Sequence, residues 1–328
     1  MIVYLCGLLL KAISCALCLL ILGLTAEKIR SALANYLCMC QVDLTNKVVL
    51  VTGGNGGIGF ETAKILAKRG ARVVIASRNV EKSQAAVQAI IEASDNPKVE
   101  YKPLDLGKFA SIKQFADDFK KSYDRLDVLI NNSGLTDRHQ TVTEDGIENL
   151  TQVNHVGPTY LTTLLLDLLI ASKPSRIIFV SSIAHKTHDF DPDDVKGLRR
   201  LAPWLRYGNT KLANILIARA LSKTLPEGVT ANSLHPGTAS TEIFLVPRML
   251  KKPFFFLLDC FFKTTEECAQ TSVHLAMAPA LANVTGEYFD ECRIAKTHKV
   301  VTDDLAEKVW KNTMALIEEK SRNLENLN

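Results

Sequence analysis

The stretch VVLVTGGNGGIGFETAKIL, from Val48 to Leu66, places five glycines within seven residues directly after an apolar run. The run predicts a buried strand, and the residues after the glycines predict a helix. Gly53 permits a tight turn, Gly57 lets the backbone approach a pyrophosphate, and Gly59 lets the helix pack closely on the sheet. The free N–H groups at the start of such a helix attract an anion. Glycine-rich turns also serve purely structural ends, but this strand–turn–helix context favours dinucleotide binding.

From Asn46 onward the chain alternates short runs rich in Val and Ile with longer amphipathic stretches. This alternation is typical of strand–helix–strand units around a parallel sheet. It predicts an α/β fold with a doubly wound parallel sheet of about seven strands. The predicted strands are Val48–Thr52, Arg72–Ala76, Val99–Pro103, Val128–Asn131, Arg176–Ser181, Thr230–His235 and Glu287–Phe289.

The composition limits the class of protein. With 328 residues, 47% of them hydrophobic and 23% charged, the chain can bury one large core, or one domain with an attachment. The formal net charge is only +4, and the Lys and Arg residues are dispersed. No basic stripe could follow a phosphate backbone, so we expect no nucleic-acid partner.

The N-terminal segment Met1–Leu24 is apolar apart from Lys11 and a few small or polar residues. It is long enough to cross a bilayer, which takes about 20 residues. A cleaved signal peptide and a buried helix are alternatives, but no basic residue precedes the run and it carries no amphipathic stripe. Lys28 and Arg30 follow the run, so the positive-inside tendency places the rest of the chain in the cytosol. We therefore predict an N-terminal transmembrane helix.

Residues Ala76, Ser77 and Arg78 end the second predicted strand. A cofactor with a free ribose 2′-hydroxyl would be expected to meet Asp or Glu there. No carboxylate is present to repel a 2′-phosphate, and the planar guanidinium of Arg78 can pair with one. The sequence therefore favours NADP(H) over NAD, with the alternative that Arg78 is a solvated surface residue.

A reacting centre is indicated by the segment YGNTK, Tyr207–Lys211. Spacing of i and i+4 puts Tyr207 and Lys211 on one face of a helix that we expect to run to Leu221. A fixed ammonium beside the phenol would lower the tyrosine pKa from about 10 toward a working pH. The phenol could then exchange a proton with an alcohol or a carbonyl. Ser181 and Ser182 end the fifth predicted strand and can add a hydroxyl at the edge where parallel sheets bind ligands.

Two acidic or histidine-containing patterns do not predict a metal site. Asp189, Asp191 and Asp193 resemble the start of a calcium loop, but the Gly and the closing Glu that such a loop needs are missing. His185 and His188 lack a third ligand at a recognisable spacing. We expect both to be ordinary loop residues, and we predict no metal.

Six short motifs together resemble the short-chain dehydrogenase/reductase family, in order and at suitable separations. They cover roughly Asn46 to Phe289. The motifs are TGGNGGIG (Thr52–Gly59), NNSG (Asn131–Gly134), VNHVG with Asn154, SS (Ser181 and Ser182), YGNTK and HPG (His235–Gly237).

The resemblance implies a catalytic tetrad. Tyr207 would be the acid/base, and Lys211 would bind the nicotinamide ribose and lower the tyrosine pKa. Ser182 would orient the substrate oxygen, and Asn154 would hold a water in the proton relay. Residues of the implied cofactor site are Gly53, Asn55, Gly57, Ile58, Gly59, Ser77, Arg78, Asp105, Leu106, Asn131, Tyr207, Lys211, Pro236, Gly237 and Thr238.

Finer features resemble the retinol dehydrogenase branch of that family: the N-terminal anchor, VNHVGPTYLTTLLLDLL, and SSIAH followed by a long insertion. The branch implies a membrane-attached enzyme that uses NADP(H) with lipophilic alcohols and aldehydes, such as retinoids, steroids or other lipid carbonyls. The aromatic segment Phe254–Phe262 would be a lid that faces the substrate or dips into the membrane, with core packing as the alternative.

These inferences predict four segments: an anchor at 1–24, a juxtamembrane linker at 25–45, an NADP-binding domain at 46–300 and a C-terminal helix and tail at 301–328. We expect a single-pass protein of the endoplasmic reticulum membrane with its catalytic domain in the cytosol, and a homodimer is one assembly to consider. The rival interpretation is a non-catalytic, membrane-bound dinucleotide-sensing or scaffold protein with the same fold.

Overall fold

The structure, a computed structural model, describes residues 40–237 and 263–325. The predicted anchor, most of the predicted linker, Thr238 and the predicted lid Phe254–Phe262 lie outside these residues. Within residues 40–237 and 263–325, no helix combines the length and the apolar character that crossing a bilayer requires.

Eight strands of the described chain form one sheet in the order β3-β2-β1-β4-β5-β6-β7-β8. Neighbouring strands are parallel from β3 through β7, and only β8 is antiparallel. The predicted doubly wound α/β fold with its parallel sheet is thus confirmed. The strands are β1 (Val48–Thr52), β2 (Arg72–Ser77), β3 (Val99–Pro103), β4 (Val128–Asn131), β5 (Ser175–Val180), β6 (Val229–His235), β7 (Tyr288–Asp290) and β8 (Arg293–Ile294).

The strand predictions need two kinds of correction. Strands β1, β3 and β4 have the predicted bounds, whereas the ends of β2, β5, β6 and β7 differ by one residue. The eighth strand, Arg293–Ile294, was not predicted. Both of its residues are exposed, so no apolar run marks it in the sequence.

The central strand β1 is buried along its whole length because helices cover both faces of the sheet. Its side chains alternate between two hydrophobic clusters: Val48 and Leu50 belong to one, and Val49 and Val51 belong to the other. The continuous apolar run in the sequence is the consequence of this double burial.

Helices pack on both faces of the sheet. They are α1 (Gly57–Lys68), α2 (Val80–Ser94), α3 (Phe109–Ser122), α4 (Asn149–Thr151), α5 (Gly157–Leu164), α6 (Leu166–Ala171), α7 (Pro203–Ser222), α8 (Thr265–Met277) and α9 (Asp303–Glu325). A π-helical turn, Gln152–Val156, joins α4 to α5. A 3-10 turn, Ile183–Lys186, follows β5.

Local sequence signals define several helix starts. Asn79 caps α2 by accepting a hydrogen bond from the backbone N–H of Lys82 at 2.7 Å. Thr264 and Glu267 form a capping box at the start of α8. Helix α7 begins at Pro203, one turn before the predicted start at Tyr207, because proline suits the first helical turn.

The strand order reverses between β1 and β4, since β1 leads outward to β2 while β4 leads outward to β5. In open parallel sheets, ligands bind in the crevice outside the carboxyl ends of the strands at such a point. Helix α1 begins at this crevice, and the ends of β4 and β5 border it.

Asp127 connects β1 to β4 at the opposite edge of the sheet, where these two strands begin. Its buried carboxylate accepts hydrogen bonds from the Val48 backbone N–H and the Lys47 ammonium, both at 2.9 Å, and from the Arg125 guanidinium at 2.7 and 2.8 Å. Burial alone would raise the pKa of Asp127, but the hydrogen bonds from Arg125, Val48 and Lys47 prevail and lower it.

We predict that Asp127→Asn lowers the free energy of unfolding at pH 7 by about 1.5–3 kcal/mol, because it removes charge-assisted hydrogen bonds. Because the pKa of Asp127 is lowered on folding, its stabilising contribution is fully present at pH values above 3.8, the ordinary pKa of the group. The contribution is lost as the pH falls through the pKa that Asp127 has in the folded protein. Urea unfolding should therefore show a smaller difference in the free energy of unfolding between wild type and variant near pH 3 than at pH 7. The control is Asp117→Asn, which breaks an exposed pair with Lys113 and should change stability little.

Candidate active site

The glycine-rich turn connects β1 to α1. Gly53 and Gly57 have φ angles of +68° and +55°, a region that side chains with a Cβ rarely adopt. At Gly59 a Cβ would lie 2.5 Å from the Gly53 carbonyl oxygen and 2.4 Å from Asn132 Nδ2, so only glycine fits. Gly56 precedes α1 without a side-chain cap, and the first turn contains no acidic residue. The first N–H groups of α1 are therefore available to an anion.

Asn132 ties this turn to the end of β4. Its side-chain amide donates to the Thr52 carbonyl at 2.8 Å, and its backbone N–H and that of Ser133 both donate to Thr52 Oγ1 at 3.0 Å. Sequence reasoning did not assign this role to Asn132 or Thr52, although both stand inside the motifs TGGNGGIG and NNSG. Their contact fixes the width of the crevice between the two strand ends.

Charged side chains gather at the end of β2. Arg78 is 61% exposed, and its Nη1 atom lies 4.0 Å from Asp105 Oδ1, which also accepts a hydrogen bond from the Gly107 N–H. A Cβ at Gly56 would be 3.3 Å from Lys82 Nζ, so a second cation borders the glycine-rich turn. Sequence reasoning missed Lys82, which the first turn of α2 brings back toward this edge.

The four residues of the predicted tetrad come from three parts of the chain: α7, the segment after β5 and the π-helical turn. Tyr207 and Lys211 lie one turn apart in α7, and the Lys211 ammonium is 5.6 Å from the centroid of the tyrosine ring. Ser182 lies two residues after the end of β5, and its hydroxyl is close enough to the Tyr207 phenol to act on the pKa of that group. A Cβ at Gly134 would lie 3.1 Å from Lys211 Nζ and 3.6 Å from Asn154 Oδ1, so these two side chains meet beside Gly134.

Asn154 lies in the π-helical turn, and its side-chain amide forms three hydrogen bonds with neighbouring residues. The Leu135 backbone N–H donates to Oδ1 at 2.8 Å, and Nδ2 donates to the Leu135 carbonyl at 2.9 Å and to Thr210 Oγ1 at 3.2 Å. These contacts hold Asn154 between the segment after β4 and the catalytic helix.

Burial sets the pKa values of this centre. It raises the pKa of Tyr207 to about 12, although the hydrogen bond from Ser182 acts in the opposite direction. It also lowers the pKa of Lys211 to about 8. The predicted lowering of the tyrosine pKa by Lys211 does not follow from this geometry. The ammonium donates to the Val180 carbonyl at 3.0 Å and lies 5.6 Å from the centroid of the tyrosine ring, and burial outweighs any lowering of the phenol pKa.

The remaining predicted cofactor residues occupy the same edge of the sheet, with one exception. Asn131 is buried within the sheet, and its Nδ2 atom donates to Thr162 Oγ1 at 2.9 Å. The others that the structure describes lie in the glycine-rich turn, in the first turn of α1, at the last residue of β2 or shortly after a strand: Asn55, Ile58, Ser77, Leu106, Pro236 and Gly237.

The two histidines considered as metal ligands, His185 and His188, have different hydrogen-bond partners. His185 Nδ1 donates a hydrogen bond to the Ser182 carbonyl at 2.7 Å, and His188 Nε2 pairs with His298 Nδ1 at 3.3 Å. In the part of the chain that the structure describes, no three His, Cys, Asp or Glu side chains gather as a metal-binding group.

Comparison with known proteins agrees with the fold and with this arrangement. The model of the family described as short chain dehydrogenase matches residues 47–246. Mouse (Mus musculus) retinol dehydrogenase 12 is 40% identical over 90% of this chain and 94% of its own length. Human (Homo sapiens) retinol dehydrogenase 11 is 39% identical over 88% of this chain and 92% of its own.

Solved structures show the same fold. An uncharacterised protein from Mycobacterium paratuberculosis superposes with a TM-score of 0.68 at 27% identity, covering 84% of this chain and 95% of its own. The Pseudomonas aeruginosa RhlG/NADP active-site complex superposes with a TM-score of 0.60 at 26% identity, covering 75% of this chain and 95% of its own.

This chain belongs to the short-chain dehydrogenase family. Its resemblance to the retinol dehydrogenase branch, predicted from sequence motifs, is confirmed by the identities of about 40% along most of the chain. The fold is that of an oxidoreductase with a nicotinamide dinucleotide as its cofactor.

Proposed function

We propose that this protein is a membrane-attached, NADP(H)-dependent oxidoreductase that interconverts a lipophilic alcohol and its aldehyde or ketone. The observation that carries the proposal is the placement of the Tyr207 phenol beside the Ser182 hydroxyl at the carboxyl edge of the sheet. The amine of Lys211 lies beside the same ring. The named relatives are retinol dehydrogenases, which supports a retinoid-like substrate for this chain too, with steroids or other lipid carbonyls as further candidates.

The described residues fit a nicotinamide dinucleotide. The glycine-rich turn leaves a space that a Cβ at Gly59 would fill, and the first N–H groups of α1 can receive a pyrophosphate. Arg78 and Lys82 can bind a 2′-phosphate beside this turn, and Lys211 can bind a ribose hydroxyl. The bound cofactor would supply or accept the hydride.

The proton steps belong to the side chains of the chain itself. With a pKa of about 12, Tyr207 holds its proton at neutral pH and can donate it to a carbonyl oxygen. The Ser182 hydroxyl gives that oxygen a second donor and so orients it. Lys211, with a pKa of about 8, is charged at neutral pH and can stabilise the phenolate if its ammonium turns from Val180 to the phenol. We propose that Asn154 keeps Lys211 in place from the other side.

Two exposed apolar side chains stand next to Ser182 and Tyr207 along the chain. Trp204 is 64% exposed one turn before Tyr207, and Ile183, which follows Ser182 directly, is 42% exposed. An apolar rim of this kind suits an apolar substrate that approaches from a greasy environment. It supports the lipophilic substrate class.

Replacing Tyr207 by Phe should lower kcat/KM for a verified aldehyde by about 10²- to 10⁴-fold, because the proton donor is lost. NADPH affinity, measured by fluorescence titration, should remain nearly unchanged. The control is Tyr123→Phe, which removes a phenol that binds Glu100 far from the site and should retain turnover.

If Tyr207→Phe retained near-normal turnover, the assigned mechanism would be wrong. The rival non-catalytic function would be favoured if the wild-type protein reduced no retinoid, steroid, polyprenoid or fatty aldehyde with either cofactor.

Arg78→Ala should weaken NADPH binding by about 10- to 100-fold while changing NADH binding little, because only NADPH carries the 2′-phosphate. A binding titration with each cofactor measures both effects. Arg72→Ala is the matched control, since Arg72 stands at the other end of β2 and pairs with Glu100. Equal losses for the two cofactors would contradict the role of Arg78.

We further propose that residues 1–24 anchor the protein and that residues 25–45 link this anchor to a catalytic domain at 46–300, followed by the helix and tail at 301–328. The domain would face the cytosol from the endoplasmic reticulum membrane, and homodimer formation stays a prediction. The apolar character of Met1–Leu24 and the basic residues Lys28 and Arg30 support this arrangement.

The full-length protein should stay in the membrane pellet after alkaline carbonate treatment, because a spanning helix anchors more firmly than any interfacial contact. Deleting residues 1–24 should make the protein extractable by carbonate. Membrane sedimentation with and without carbonate measures the change. Deletion of residues 326–328 is the control and should leave the protein in the pellet. If the truncated protein stayed in the membrane pellet after carbonate treatment, the proposal that residues 1–24 are the anchor would be wrong.

A further inference from the structure

The peptide group between Ser182 and Ile183 is bound on both sides by histidine side chains. His185 Nδ1 donates a hydrogen bond to the Ser182 carbonyl at 2.7 Å, and His235 Nδ1 accepts one from the Ile183 N–H at 3.2 Å. The two histidines belong to different elements, because His185 lies in the 3-10 turn after β5 and His235 is the last residue of β6. Both polar groups of this one peptide therefore contact imidazole nitrogens.

Both imidazoles have the protonation state that these hydrogen bonds require. Burial lowers the pKa of His235 to about 4, and burial also lowers the pKa of His185, so both rings are neutral at physiological pH. His235 accepts at Nδ1 and carries its proton on Nε2, whereas His185 donates at Nδ1. In the described part of the chain, the buried Nε2 atom of His185 has no hydrogen-bond partner. A charged ring would leave a buried N–H there without an acceptor, which is unfavourable.

The two rings are themselves fixed by the sheet. His185 is fully buried, and its ring meets the edge of the Tyr288 ring of β7 with a centroid distance of 5.0 Å and an interplanar angle of 64°. His235 is 7% exposed and pairs with Asp290 of β7 in the sheet register. The turn that follows β5 is thereby connected to β6 and β7 through its first peptide.

This peptide also determines where the Ser182 hydroxyl lies. A peptide group is planar, so holding its carbonyl and its N–H fixes the orientation of the whole plane and the course of the turn that follows. The Ala184 N–H of that turn donates to Ser182 Oγ at 3.2 Å. It occupies one acceptor position of the hydroxyl, whose own proton can then be donated to a substrate oxygen.

We propose that His185 and His235 are positioning residues for the reaction, which hold the peptide after Ser182 and so aim the serine hydroxyl at the substrate oxygen. This inference rests on the proposed function, in which Ser182 orients that oxygen. His235 has the larger effect, because it is the sole acceptor of the Ile183 N–H among the residues that the structure describes. The Ser182 carbonyl also receives the His185 backbone N–H at 3.1 Å.

Hydrogen exchange of the full-length chain in lipid nanodiscs tests this contact without any turnover. His235→Leu removes the acceptor, so the Ile183 N–H should exchange about 2- to 10-fold faster in residue-resolved mass spectrometry. His235→Gln should do the same, because its amide lies one methylene further out. His235→Asn should keep the protection, since its side-chain oxygen is as many bonds from Cα as histidine Nδ1.

The control for exchange is His188→Leu, which removes a nearby ring that pairs with His298 and should leave Ile183 protected. Exchange in β1 should be unchanged in every variant that is folded. Unchanged exchange at Ile183 in both His235→Leu and His235→Gln would overturn the proposal. Because exchange needs no substrate, this result stands whether or not the proposed reaction is correct.

Kinetics separate an effect through Ser182 from general support of the fold. With retinaldehyde and saturating NADPH, His235→Leu and His235→Gln should lower kcat by about 10- to 100-fold while KM and NADPH affinity change little. His235→Asn should restore most of kcat, and His188→Leu should retain it. In a Ser182→Ala background, His235→Leu should cause no further loss, because the hydroxyl that it positions is absent.

The double substitution distinguishes failure of this inference from failure of the proposed function. If Ser182→Ala lowers kcat but His235→Leu does not, the inference alone is wrong. The inference is also wrong if His235→Leu lowers kcat by the same factor with and without the Ser182 hydroxyl. Wild-type kcat in Ser182→Ala would refute the proposed role of Ser182 and, with it, the positioning role of both histidines.

Discussion

The close contact between the ends of β1 and β4 is the constraint on which the site depends. Asn132 hydrogen-bonds the Thr52 carbonyl, and its side chain approaches Gly59 so closely that no Cβ fits between them. The turn, the start of α1 and the end of β4 are thereby locked into one unit. Because the strand order reverses at the same place, this unit borders a crevice at the edge of the sheet where a dinucleotide can lie.

One helix, α7, supplies several of the polar side chains at the candidate active site and presents them on adjacent stripes of its surface. Helix α7 carries Tyr207 and Lys211 toward the strand ends, and its N-terminal part also carries Arg206 into an internal ion pair with Glu148. Lys211 is almost fully buried, which disfavours its charge and lowers its pKa to about 8. The Val180 carbonyl offsets part of that cost by accepting a hydrogen bond from the ammonium.

The sequence was most informative where burial is uniform along an element. Strands β1 and β4 are buried along their whole length and have their predicted bounds, because a strand covered on both faces produces a plain apolar run. Strand β3 also has its predicted bounds, although it lies at the edge of the sheet and is only partly buried. Strand β8 has only two exposed residues and gives no such signal. The π-helical turn around Asn154 was also missed, since no residue pattern distinguishes it from a regular helix.

Features that depend on distant parts of the chain were harder to predict. The i, i+4 spacing placed Tyr207 and Lys211 on one face, but spacing says nothing about how deeply a phenol is buried, and burial reversed the expected direction of the tyrosine pKa. Arg206 and Glu148 stand 58 positions apart, so their ion pair cannot be read from either local sequence. Lys82 reaches the glycine-rich turn only because β2 and α2 fold back beside it.

Thr210 shows how these parts are joined. Its hydroxyl donates to the Tyr207 carbonyl at 2.8 Å and accepts a hydrogen bond from Asn154 Nδ2 at 3.2 Å, so a side chain of α7 positions the amide that faces Lys211. The π-helical turn adds a residue to its helix, and such turns frequently occur at functional sites because they redirect side chains. The placement of Asn154 is therefore set jointly by the backbone at Leu135 and by α7. A shift of α7 would move the phenol and the ammonium together, because both belong to this helix, whereas the two hydrogen bonds from Leu135 hold the amide to the segment after β4.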